Sequence, residues 1–193
     1  MALSKVILAS TLTVALTAAT YAQEILTGDE GLACQAVLCL ATGAPPQECA
    51  PALSRFYRIS YRDWSETLQG RINFLNLCPV SNMTPAMRSL TRAMASGAGR
   101  CDAASLNATL LHAYTVPGSN AQTLNYIGNT APDYCTAYTS HPYTDLSELR
   151  PIYVGDPLRA GHWVAPASYD QELAAYQARI AAENQSSGQD SGN

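Results

Sequence analysis

Apolar residues along this chain return mostly at three- and four-residue steps, in runs punctuated by Pro, Gly and Cys, a pattern that predicts a series of short helices. From Leu32 to Ala41 only Cys34, Gln35 and Cys39 interrupt Leu, Ala and Val, so this helix has almost no polar face and reads as buried. Asp29 and Glu30 stand where a helix amino terminus favours negative charge. Gly43 is expected to end the helix in a left-handed conformation, and Pro45-Pro46 blocks a restart and holds Cys49 near its end. A second helix follows from Ala50, with Pro51 in its first turn and Leu53, Phe56, Tyr57 and Ile59 as its apolar set. Trp64, Leu68, Ile72, Leu75 and Leu77 form the stripe of a third, stopped by Pro79 after Cys78. Thr84-Pro85 supplies an N-cap hydroxyl and an N1 proline to a fourth, which carries Met87, Leu90 and Met94 and ends at Gly97 to Gly99.

The fifth predicted helix spans Cys101 to Tyr114, with Leu106, Leu110 and Leu111 inside. Helical period then fades. Val116 to Pro142 is rich in Gly, Asn, Thr, Tyr and Pro and reads as ordered irregular structure pinned at Cys135. Pro151 to Ala167 has β-type residues on either side of a Gly/Pro turn and predicts a small hairpin. Ser168 to Glu183 is the clearest helix, with Tyr169, Leu173, Tyr176 and Ile180 in one narrow stripe. The tail 184–193, NQSSGQDSGN, is expected to be disordered. The fold class is therefore mainly α: a small disulfide-stapled helical domain over residues 23–183 with an irregular Tyr/Gly/Pro-rich segment, a short β-hairpin and a C-terminal helix.

Residues 1–22 change the setting. Lys5, the apolar run Val6 to Ala19, and small residues at Thr20 and Ala22 read as a cleavable export signal, with cleavage before Gln23. The run is shorter than the ~20 apolar residues a membrane span needs. The expected location is the periplasm. All six cysteines follow this segment, and an even number in an oxidising compartment reads as disulfides, with Cys34, Cys39, Cys49, Cys78, Cys101 and Cys135 structural. No C-x-x-C motif is present to suggest thiol redox chemistry.

Lys5 is the only lysine, so the exported chain carries ten arginines against fifteen acids. That balance argues against nucleic acid as a partner, because phosphate neutralisation needs cations. Seven arginines nevertheless fall between Arg55 and Arg100 with only Asp63 and Glu66 beside them, either a solvated helix face or a patch for an acidic protein partner. His112, His141 and His162 match no metal-ligand spacing and read as packing or surface residues, so no metal or other cofactor is expected. There is no G-x-S-x-G elbow and no phosphate-cradling glycine loop. Two acids converging for glycan cleavage remain open to any sequence. Asn107-Ala108-Thr109 matches a glycosylation acceptor, a triplet common by chance. Eleven tyrosines against two phenylalanines suit protein interfaces and disulfide-rich loops equally. No catalytic residue is expected.

The combination CQAVLCLATG, PPQECAPALSRFYRI and RINFLNLCP, followed by PDYCTAYTSHPYTD, PIYVGDP and GHWV, resembles the TrbM/KikA/MpfK family of conjugal-transfer proteins over nearly all of the exported chain. The resemblance implies a periplasmic accessory component of plasmid transfer through a type IV secretion system, acting by protein–protein contact in mating-pair formation. It brings no catalytic residues. The motif positions that carry over are Cys34, Cys39, Cys49 and Cys78, with Phe56, Tyr57, Phe74, Leu75 and Pro79 packed around them. The implied partners are protein subunits of the transfer apparatus. Two other readings stand beside it: an exported enzyme acting on the cell wall, and a secreted binding or inhibitor module. Six cysteines allow fifteen connectivities, among which the sequence does not choose. The working assignment is Cys34–Cys78, Cys39–Cys49 and Cys101–Cys135.

Overall fold

The computed structural model describes residues 26–116 and 122–189, and the export signal predicted over residues 1–22 lies outside them. In chain order it contains helices α1 (Gly28–Leu40), α2 (Ala50–Tyr57), α3 (Trp64–Leu75), α4 (Pro85–Gly97) and α5 (Ala103–Thr109), then strands β1 (Leu111–Thr115) and β2 (Thr123–Ile127). Helix α6 (Asp133–Thr139), strands β3 (Ile152–Val154) and β4 (His162–Val164) and helix α7 (Tyr169–Gln189) complete the described residues. The class is mainly α with two small antiparallel hairpins, β1–β2 and β3–β4.

The larger apolar cluster is built by α1 to α4. Ala33, Ala36, Val37 and Leu40 of α1 meet Phe56 of α2, Leu75 of α3 and Leu90 and Met94 of α4. Tyr138 of α6 closes the cluster, and its hydroxyl donates to the Leu40 carbonyl at 2.6 Å, filling an acceptor left open at the end of α1. A second cluster gathers Cys101, Leu106, Cys135 and Trp163 beneath the two hairpins. Helix α4 begins as its sequence predicts, with the Thr84 hydroxyl accepting the Met87 amide at 3.1 Å and Pro85 in the first turn. Asp102 caps α5 in the same way, its carboxylate accepting the Ser105 amide at 2.9 Å. The bridges are Cys34–Cys78, Cys39–Cys49 and Cys101–Cys135, the same pairing as the working assignment, and no described cysteine is free.

Six sequence expectations are corrected. Helix α1 stops at Leu40, before Gly43, and Gly43 is not left-handed. A Cβ there would run into the Leu149 side chain, so its small size serves close packing: the Asp145 amide donates to Ala41 O at 2.8 Å just before it. Nor is α1 buried all round, since Leu38 is 73% exposed. On α3 the buried line is Thr67, Arg71, Phe74 and Leu75, while Trp64, Leu68 and Ile72 are only partly covered. The stripe shifts because Arg71, a residue that hydropathy assigns to solvent, turns inward.

The predicted helix Cys101 to Tyr114 is instead α5 followed by β1. Leu106 is buried as a helical residue, whereas Leu111, His112 and Thr115 lie exposed on a strand paired with β2 in the register Ala113↔Asn125. The Val116 to Pro142 stretch is not irregular throughout: it supplies β2 and then α6, which carries Cys135 to its bridge. The segment 184–189 is helical, an extension of α7 rather than part of a disordered tail. No proline interrupts it, Asn184 accepts from Arg159 at 3.3 Å, and the Ser186 hydroxyl donates back to Glu183 O at 2.8 Å. The hairpin predicted within Pro151 to Ala167 is present as β3–β4, with Tyr153 opposite Trp163.

Candidate functional site

A cleft of about 550 Å³ lies between the second apolar cluster and the segment leading into β3. Its apolar wall comes from Leu106, Ala131, Pro151, Ile152, Tyr153, Trp163 and Pro166, with the Cys101–Cys135 bridge set into it. Thr136, Thr139, Ser147, Glu148 and Arg150 supply the polar side. The two large rings are fixed before any ligand arrives. Tyr153 and Trp163 meet edge to face at 5.2 Å, the Tyr153 hydroxyl donates to Ile127 O at 2.7 Å, and the Trp163 indole N–H donates to Gly128 O at 2.9 Å. Burial first, then the neighbouring Asp156 and Tyr176, raises the Tyr153 hydroxyl above its ordinary range and keeps it a donor.

Asn107 holds the back of the cleft from α5. Its amide nitrogen donates to Trp163 O at 2.8 Å and its carbonyl oxygen accepts the Trp163 amide at 2.7 Å, a two-point clamp on β4. The sequence marks Asn107 only as a chance glycosylation triplet, and no local signal reveals this role. Arg150 is steadied on the rim by Ser147 O at 3.2 Å and the Ser140 hydroxyl at 3.3 Å. The lining offers hydroxyls and one carboxylate but no histidine, and both of its cysteines are bridged. What the arrangement provides is a preformed apolar slot with a rim of both charges, suited to holding a side chain or short segment.

The predicted site residues were the six cysteines, and the structure distributes them. Cys34, Cys39, Cys49 and Cys78 staple α1 to its own exit turn and to the end of α3, while only Cys101 and Cys135 reach the cleft. The three histidines stay apart from it: His112 and His141 contact the rings of Tyr126 and Tyr143, and His162 lies 3.5 Å from Glu172. Among the described residues no group of three or more His, Cys, Asp or Glu side chains gathers in a way that would hold a metal. None of their helices is long and apolar enough to cross a membrane.

The arginine-rich segment divides into three. Arg55 pairs with Asp29 at 2.8 Å, and this bond holds the exposed Asp29 carboxyl below its usual range. Arg71 and Arg100 are absorbed into aromatic stacks. Arg71 lies 4.8 Å from the Phe56 ring, 5.6 Å from Trp64 and 5.7 Å from Tyr57, while Arg100 lies between Trp64 at 3.9 Å and Tyr134 at 4.1 Å. Arg58, Arg62, Arg88 and Arg92 are left exposed.

These features define a disulfide-stapled, mainly helical protein whose best-formed site is a preorganised binding cleft. The chain belongs to the TrbM family, whose model matches residues 25–177, and it is thus a conjugal-transfer-related protein. No curated protein and no solved structure matches it.

Proposed function

We propose that this protein is an exported, periplasmic accessory component of conjugative plasmid transfer through a type IV secretion system. It acts by protein–protein contact in mating-pair formation and carries out no chemistry of its own. The observation that carries this reading is membership of the TrbM family across residues 25–177. Two further observations support it. Three bridges suit an oxidising compartment, where they would form and persist. Residues 1–22 have the charge, apolar run and small residues of a cleavable export signal.

A donor strain lacking the gene is expected to lose mating efficiency and to regain it from a plasmid copy, but not from a copy starting at Gln23. The complementing protein should be released with the periplasmic fraction and begin at Gln23. Normal transfer and normal pili in the deletion strain, with no second copy of the gene present, would overturn the assignment.

A further inference from the structure

A second concavity of about 380 Å³ runs along the outer face of α4 against α6. Its floor is small: Ser89, Ala93 and Ser96 from α4, and Ala137 from α6. Arg88 and Arg92, one helical turn apart, stand on α4 above that floor and are the only charged residues of this helix. Neither joins an ion pair. The ion pairs among the described residues use Arg55, Arg159, Arg179 and His162. Arg88 is held beside the start of α4 by a bond to Asn82 O at 2.9 Å, and Arg92 is exposed and joins no ion pair among the described residues. Tyr134 completes the wall, and its hydroxyl is buried without a hydrogen-bond partner among the described residues. The closest acid on α6 is the exposed Asp133, which does not line the groove.

We propose that this groove docks an acidic segment of a partner protein, a proposal that rests on the reading of the chain as a protein-contact component. Two unpaired guanidiniums at helical spacing over a floor of small residues match aspartate or glutamate side chains, which accept two N–H bonds from each fork. Nucleic acid fits poorly, because a phosphate backbone requires cations along a longer track and the whole chain has a net charge of −4. The site differs from the apolar cleft in both position and chemistry, so the two can be occupied by different parts of one partner.

The test uses the full, disulfide-bonded protein and a short fluorescent Glu-rich peptide, read by anisotropy at low and moderate salt. The double variant R88E/R92E is compared with R58E/R62E, which makes the same change in net charge outside the groove, and circular dichroism checks that both fold. R88E/R92E is expected to weaken binding by about tenfold or more, while R58E/R62E stays within about twofold. Three outcomes would overturn the groove: equal weakening by both variants, no binding to the unmodified protein, or tighter binding of a DNA duplex at the same residues. Failed peptide binding in a protein that donors still need for transfer rejects the groove alone, whereas transfer that does not need the protein rejects the broader reading.

Discussion

Arg71 is a charged residue 8% exposed that joins no ion pair among the described residues, so other interactions must offset its desolvation. Its Nε donates to Ile59 O at 3.2 Å, its Nη1 reaches Ala98 O at 3.5 Å, and three aromatic rings surround the plane. Burial, partly opposed by Tyr57 and reinforced by Arg100, pulls it below an ordinary arginine. Lysine keeps the charge but neither the flat fork nor the stacking surface. Arg71→Lys is therefore expected to cost about 1–3 kcal/mol in urea unfolding, and wild-type stability would contradict this account.

Tyr138 makes a pH prediction of definite sign. Burial raises its hydroxyl well above the ordinary 10.0, so the folded chain keeps a proton that the unfolded chain releases. Its contribution is complete below about pH 10 and falls as pH rises beyond that value. Tyr138→Phe should cost about 1 kcal/mol at neutral pH through the lost bond to Leu40 O, yet flatten the alkaline decline. An unchanged alkaline slope would sink the assignment. Asp102 works at the other end of the scale. Burial pushes its carboxyl up, but the Ser105 hydroxyl and amide outweigh that and hold it low, so its stabilising share is lost only as pH falls below the ordinary 3.8.

Among the elements, α4 and α6 show how close packing overrides propensity. Gly97 ends α4 against Tyr138, where an added Cβ would sit 2.6 Å from the Tyr138 Cβ. Alanine is the better helix former by about 1 kcal/mol, but the clash should reverse the sign, and Gly97→Ala is expected to lower stability by about 1–3 kcal/mol. A rise in melting temperature would show that the helices can part without cost.

The same elements show what could be read in advance. Thr84-Pro85 declares the start of α4 because its cap is local chemistry, and Tyr169, Leu173, Tyr176 and Ile180 declare α7 because their spacing is unambiguous. Leu106, Leu110 and Leu111 fit a helix or a helix followed by a strand equally well, and only pairing with β2 decides. The α6 segment is 7 residues long, less than two full turns, which is too short to show a period. Most of the cleft was invisible for a related reason. Its lining is drawn from Cys101 to Pro166, and the Asn107 clamp on Trp163 spans 56 residues that no local pattern links.

At the scale of the whole molecule, the bridges divide the work. Cys34–Cys78 and Cys39–Cys49 hold α1 within the larger cluster, and Cys101–Cys135 joins the start of α5 to α6 beside the cleft. Loss of the Cys39–Cys49 bridge would free the turn through Pro45-Pro46 and leave the end of α1 unsupported. Cys39→Ser is expected to cost about 2–5 kcal/mol and to abolish accumulation of the protein in cells, as judged by immunoblot. Normal levels would contradict the view of α1 as the post on which the fold hangs.

With the shape held this firmly, both the apolar cleft and the arginine groove are preorganised, as the proposed contact role requires. The most direct test is site-specific photo-cross-linking in living donor cells, with the probe at Ile152 in the cleft and at Ser89 in the groove, followed by identification of what is captured. The account predicts secretion-channel or pilus subunits from at least one position. Capture of only peptidoglycan-associated or unrelated proteins from both would contradict it.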